Sequence, residues 1–317
     1  MLRYTVNRFL QAIPALIGVS VITFILLHVV PGTPAQVMLG QHYTAARAAA
    51  LDHRLGLDKP LIVQYLVWVE NLARWRLGYS YTYDLPVASL IALNLPHTLV
   101  LVGVSIMFAH LFAIGLGTLQ GYYRNSVFDY IVTVVNYFFY AMPGFWFGIV
   151  LIEIFSIGLG IFPSGGITNP AAPVQTFGSY VAHLILPASA LAVTSMAGWA
   201  RYMRSTVIEA TEQDYVRTAR AKGLSEGRVM FIHVLRNSVL PLITLLGLSL
   251  PNLFAGALVT EDVFNYPGMG LLFWNASLER DYPVLLAIIM LLGAITIGGN
   301  FLADILYGLV DPRIQYG

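Results

Sequence analysis

Apolar residues in this chain come in long, nearly unbroken runs. A helix needs about 20 such residues to cross roughly 30 Å of hydrocarbon, and six runs are long enough, at residues 9–30, 97–119, 131–157, 181–202, 239–259 and 283–310. The pattern predicts an all-α integral membrane protein of about six transmembrane helices. The fourth run is the weakest, broken by Pro187 and diluted by Ser189, Thr194 and Ser195. Proline is tolerated in such a helix because its neighbours re-satisfy the freed backbone groups. Pro143 followed by Gly144 predicts a kink in the third run. Gly117-x3-Gly121 and Gly144-x3-Gly148 are spacings that let helices approach closely, and they read as packing features.

Two stretches between the runs have character of their own. In the long outer segment, residues 31–96, residues 60–77 read as an interfacial helix, because Tyr65, Trp68, Leu72 and Trp75 fall on one stripe. Such a helix lies against the bundle and the headgroups; the alternative is a docking surface for an outside partner. Residues 203–238, between the fourth and fifth runs, are polar. Acidic residues come early there and Arg217, Arg220 and Lys222 late, an order that suits the dipole of one helix over residues 206–222. Gly223 fits the left-handed position that closes many helices, and Ser225 can cap a second helix starting around Glu226. The expectation is a stiff helix-turn-helix projecting from the membrane.

Composition makes lipid the solvent. The chain is 57% hydrophobic and 10% charged, where a soluble domain carries about 25% charged residues. A net charge of +1 points neither to nucleic acid nor to an acidic tail. The absence of cysteine excludes disulfides, thiolate metal sites and thiol nucleophiles. The first run is too long for a removable signal peptide, and Pro31-Gly32-Thr33-Pro34 after it offers no small-x-small cleavage site.

Loop charge sets the orientation, because lysine and arginine favour the inner side of short loops. With the amino terminus inside, the inner segments hold Arg3, Arg8, Arg124, Arg201, Arg204, Arg217, Arg220, Lys222, Arg228, Arg236 and Arg313, and the short outer loops hold Arg280 alone. Both termini are therefore expected in the cytoplasm.

Motifs for catalysis are missing from the sequence. There is no Gly-x4-Gly-Lys-Ser/Thr phosphate loop, no Gly-x-Ser-x-Gly and no His-Glu-x-x-His. The seven histidines lack paired metal-ligand spacing; His28 and His110 read as helix residues with a local partner. Glu153 and Asp304 are carboxylates inside apolar runs, where an acid is costly. Each lies one to two turns from a helix end, so each is a candidate either for a polar pathway or for a structural ion pair or interfacial site.

The inner loop carries a family resemblance. Asp214-Tyr-Val-Arg-Thr-Ala-Arg-Ala-Lys-Gly-Leu-Ser225, followed by Leu235-Arg-Asn-Ser-Val-Leu-Pro241, resembles the cytoplasmic coupling loop of ABC importer permeases of the dipeptide, oligopeptide and nickel subfamily. The wider family pattern is Glu-Ala-Ala-x3-Gly; here Arg217, Thr218 and Ala219 precede the last stretch to Gly223, a departure usual among peptide-type members. Leu55-Gly-Leu-Asp-Lys-Pro60, Phe162-Pro-Ser-Gly-Gly166, Glu261-Asp-Val-Phe-Asn-Tyr-Pro-Gly-Met-Gly270, Arg280-Asp-Tyr-Pro283 and Leu309-Val-Asp-Pro-Arg313 fit the first of the two peptide permease subunits, in the same order. Thr33 stands where that subunit usually has an acid.

The resemblance implies one permease domain over residues 1–317 in a bacterial or archaeal cell membrane. It implies a second homologous permease, two cytoplasmic ATPases and an external binding protein, with ATP and magnesium bound by the ATPases and no cofactor in this chain. It assigns ATPase coupling to Asp214, Arg217, Ala219, Arg220, Lys222 and Gly223: the glycine allows the turn, Ala219 keeps the contact face small and the basic residues supply charge partners. Peptide is the implied substrate, with nickel complexes or glutathione as alternatives. A secondary transporter, the rival of another class, would need midplane ion sites in paired repeats, and no internal repeat is visible.

Overall fold

The computed structural model describes residues 2–29, 34–168 and 176–310. The helices in chain order are α1 (Leu2–Val29), α2 (Pro34–Leu39), α3 (Ala45–Leu55), α4 (Leu61–Ala73), α5 (Val87–Tyr122), α6 (Val127–Ala141), α7 (Gly144–Leu151), α8 (Phe177–Thr211), α9 (Asp214–Ala221), α10 (Glu226–Arg228), α11 (Arg236–Ser238), α12 (Leu240–Val263), α13 (Met269–Leu278) and α14 (Tyr282–Val310). Wider π turns over Ile152–Gly158 and Val229–Leu235 continue α7 and join α10 to α11. Among the described residues the only extended pairing is one bridge between Tyr79 and Pro86. The described residues are mostly helical, as the apolar pattern predicts.

Four described helices are long and apolar enough to cross a membrane: Val87–Tyr122, Phe177–Thr211, Glu226–Gly247 and Tyr282–Gly299. A fifth is formed if the α6 and α7 segments count as one span. That pair is bent by 104°, far more than the kink expected of Pro143-Gly144. Met142 and Pro143 both adopt extended backbone, which ends α6 outright before Gly144 restarts a helix. The first expected run falls in α1, whose described apolar stretch is the shorter Ile13–Leu26.

The chain divides into two compact units. The first comprises residues 1–97 and 268–298. Its core joins Val87 and Leu90 of α5 to Met269, Leu272 and Ala276 of α13 and to Val284, Leu285 and Ile288 of α14. The segment expected to be interfacial, residues 60–77, belongs here. On α4, Tyr65 and Trp68 turn toward α1: the Tyr65 hydroxyl lies 2.8 Å from Ser20 Oγ, and both rings contact Phe24. Trp75 does not continue this stripe, because α4 ends at Ala73 and Trp75 has a positive φ of 57° and is exposed. The opposite flank of α4 leaves Ile62, Leu66 and Val67 uncovered. His28 bonds the Phe24 carbonyl at 2.7 Å and approaches Gln64 at 3.2 Å, the local partner expected of it. Asp281 is fully buried and accepts from the Ser80 hydroxyl and the Thr82 N–H. Burial and the charge of Asp281 push the neighbouring Tyr81 hydroxyl up to about 12.

The second unit, residues 98–267 with the chain from 299 onward, is built around α8. Thr176 caps α8 by accepting from the Ser179 N–H, and the helix runs through Pro187 for 35 residues. It packs against α6, α7 and α12. Half of its most apolar window is buried, against 28% of that of α5. This suits the weaker hydropathy of the fourth run: half of the window meets protein, so serine and threonine cost less there than they would facing lipid. Gly117 and Gly121 bring α5 onto α8, where an added Cβ would fall 2.6 Å from the Ala200 carbonyl oxygen and 2.5 Å from Val207 Cγ1. His110 bonds the Ile106 carbonyl at 3.0 Å and its ring lies against Trp199. Two of the family-like fragments meet where the Gly166 N–H donates to the Phe264 carbonyl at 2.9 Å.

Candidate coupling site

The stretch 203–238 folds in the second unit as helix, turn and helix, with boundaries that differ from the sequence expectation. Residues 206–211 continue α8 instead of opening a separate helix. The chain breaks at Glu212 and Gln213, and α9 covers only Asp214–Ala221. Asp214 is in its first turn and Arg220 in its last, which complements the helix dipole. The exit follows the Schellman pattern: the Leu224 N–H reaches the Ala219 carbonyl and the Gly223 N–H the Arg220 carbonyl, with Gly223 at φ +76°. An L side chain rarely adopts that φ.

The second helix begins after Ser225, which has the extended backbone of a cap, but its side chain accepts no hydrogen bond. Residues 225–228 are all exposed, so water can satisfy the first free N–H groups of α10. Beyond the π turn the chain runs on into the next span, since Glu226–Gly247 forms one apolar rod.

α9 has two different faces. Val216 and Ala219 point inward and join Met203, Val207 and Ala210 of α8, Val229, Met230 and Val234 of the π turn, and Leu242 of α12 in one buried cluster. The resemblance expects Ala219 to keep the contact face small; in the structure Ala219 faces its own chain. Its small side chain lies under α9 and sets how closely that helix sits on its own chain, not the shape of the outer surface. Asp214, Arg217, Arg220 and Lys222 are exposed on the outer side. Arg217 lies 3.4 Å from Asp214. Arg220 spans the Gly223 turn to Glu226 with Nε and Nη2 at 2.8 and 3.2 Å from the two carboxylate oxygens. Lys222 forms no ion pair among the described residues.

The feet of this element are fastened. Thr206 Oγ1 donates to the Ser238 carbonyl at 3.2 Å and Ser238 Oγ to the Thr206 carbonyl at 3.3 Å. Arg124, in the turn between α5 and α6, pairs with Glu212 at 2.8 Å. About two turns back along α8, Arg204 holds Asp129, and Asp129 also accepts from the Asn125 N–H at 3.0 Å. Gln120 and Asn136 extend the network across α5 and α6. α9 is thus joined to α8 and α12 by packing, while Glu212 and α8 are joined by ion pairs to the turn between α5 and α6 and to α6.

Sequence reasoning missed Asp129, Arg204 and Glu226 as partners. For Asp129 a signal existed: Ser126 stands three residues before it and caps α6 by accepting from its N–H. Of the two acids singled out in the sequence, Glu153 is exposed in the π turn after α7 and forms no ion pair among the described residues. The side chain of Asp304 lies outside the described residues, as do Thr33 and Arg313.

The described residues hold no cluster of His, Asp or Glu able to bind a metal.

Comparison with known proteins shows the family. Residues 113–316 match the family described as binding-protein-dependent transport system inner membrane component, and residues 1–102 match its N-terminal companion. The chain is 40% identical to the oligopeptide transport system permease protein AppB of Bacillus subtilis, over the whole of both chains. It is 41% identical to the di/tripeptide transport system permease protein DppB of Pseudomonas aeruginosa, over 100% of this chain and 99% of that one. Identity to the oligopeptide permease OppB of Haemophilus influenzae is 38% over both full lengths. A structure of the MetNI methionine ABC transporter in an inward-facing conformation shares the fold, with a TM-score of 0.52 at 18% identity, covering 70% of this chain and 98% of that one. The chain belongs to the binding-protein-dependent transport system inner membrane component family, and it is a permease subunit of an ABC importer, not an enzyme.

Proposed function

We propose that this chain forms half of the translocation pathway for di- or oligopeptides in a bacterial or archaeal cell membrane, with both termini and α9 on the cytoplasmic side. Family membership implies ATPase subunits, a second permease and a substrate-binding protein; in this reading there are two ATPases, which bind the ATP and magnesium, and the second permease is a homologue. The peptide assignment is supported by the names of the full-length relatives.

The observation that carries the coupling reading is the build of α9: a short helix closed by Gly223, buried on one side by Val216 and Ala219, charged on the other and tied at both feet. A floppy connector would dissipate a push in its own conformational entropy. When the ATPases close on ATP, α9 moves as a lever, and the rod from Glu226 carries the motion into the bundle while Arg204–Asp129 takes α5 and α6 along. Glu153 and Asp304 remain candidate pathway acids in this reading.

The test is reconstitution of the permease pair with both ATPases and the binding protein in vesicles. The expected result is ATP-dependent uptake of a labelled tripeptide that a nickel complex or glutathione does not match. Uptake driven by an ion gradient without ATP would overturn it.

A further inference from the structure

A cavity of about 160 Å³ opens between α6 and α8, lined by Thr133, Asn136, Tyr137, Tyr140, Arg201 and Arg204 among others. Its two guanidinium groups differ. Arg204 is committed to Asp129 through two bonds. Arg201 forms no ion pair among the described residues; its guanidinium carbon sits 5.8 and 5.2 Å from the ring centres of Tyr137 and Tyr140. The cavity thus offers one unmatched positive charge, held over aromatic faces, with phenol and amide groups around it.

Arg201 stands near the inner end of the fourth apolar run, residues 181–202, where an unpaired cation held over aromatic rings must face water or meet an anion. The space admits a few waters or the end of an extended chain, not a large ligand.

We infer that Arg201, Tyr137 and Tyr140 form a subsite for the terminal carboxylate of a peptide in transit. A guanidinium accepts a carboxylate edge-on through two parallel N–H bonds, and the tyrosine rings hold it facing the cavity in the absence of ligand. This rests on the peptide-permease reading above and adds a specificity element within the membrane subunit.

The experiment is equilibrium dialysis of the purified complex, without nucleotide or binding protein, against labelled trialanine and trialaninamide. The complex is expected to hold trialanine at least tenfold more tightly. Arg201→Gln should erase that preference, Arg201→Lys should keep part of it, and Tyr137→Phe, which spares the ring, should lower it severalfold. Equal binding of the two peptides by the wild type, or a preference that survives Arg201→Gln, would overturn the inference. So would loss of the preference in phosphatidylglycerol vesicles but not phosphatidylcholine vesicles, which would assign the site to a lipid headgroup. ATP-driven trialanine uptake by the wild-type complex separates the two levels: uptake without a carboxylate preference defeats the subsite alone, and no uptake defeats the peptide reading.

Discussion

Arg204 grips Asp129 with two hydrogen bonds, Nε to Oδ1 and Nη2 to Oδ2, both at 2.7 Å. The partners are unequally placed: the Asp129 side chain is 2% exposed and that of Arg204 29%. Removing the arginine strands a buried carboxylate, whereas neutralising the acid leaves a cation that can reach water. Breaking a buried pair from the costly side is worth about 3–5 kcal/mol.

Arg204→Gln is therefore expected to cost about 3 kcal/mol, and Asp129→Asn about half as much, since asparagine still accepts from Asn125. Thermal unfolding of the purified complex checks the order. Equal losses would show that the two ends of the pair are equally solvated.

Gly223 has no neighbour within 4 Å of an added Cβ, so substitution there meets no clash, only the penalty of the left-handed backbone, about 1–2 kcal/mol. Gly223→Asn should retain most uptake, and Gly223→Val should abolish ATP-coupled uptake while the protein still inserts. Uptake by reconstituted vesicles, with insertion followed by impermeant labelling, measures both. Normal uptake by the valine variant would remove α9 from the coupling path.

The α5–α8 contact separates crowding from propensity. Gly117→Ala and Gly121→Ala place a methyl group 2.5–2.6 Å from atoms of α8 and should cost about 1–3 kcal/mol each. Gly115→Ala meets nothing within 4 Å and should be neutral or stabilising by up to about 1 kcal/mol. Melting temperatures of the three variants test this; a uniform effect would mean that the helices part to make room.

On the outer side of α9, the exposed Arg220–Glu226 pair is worth at most about 1 kcal/mol to stability. Arg220→Ala should leave the melting temperature nearly unchanged. Lys222→Glu should weaken recovery of the ATPase subunits severalfold at 0.1 M salt, with the difference shrinking at 0.5 M as charges are screened. A loss independent of salt would point to packing, not charge, at the docking face.

The helical membrane architecture was readable from the chain alone because apolar run length has a direct physical counterpart, the thickness of the hydrocarbon. The turn at Gly223 was readable for a similar reason: the left-handed backbone found there, φ +76°, is local and suits glycine. What depended on packing was not. The expected helix over residues 206–222 became the end of α8 plus a separate α9, because Val216 and Ala219 gain more by folding back onto Val229 and Val234 than by continuing straight. Ser225 kept its place without its hydrogen bond, since the exposed N–H groups beside it have water.

Sequence determined which segments must leave water and that the backbone must turn at Gly223; both are properties of a residue and its immediate neighbours. Tertiary structure alone decided that Asp129 meets Arg204, 75 positions away, that Ala219 faces inward, and that Arg201 lies over two tyrosines with no ion pair among the described residues. Those outcomes arise from which helix faces come together, and no residue carries that information by itself.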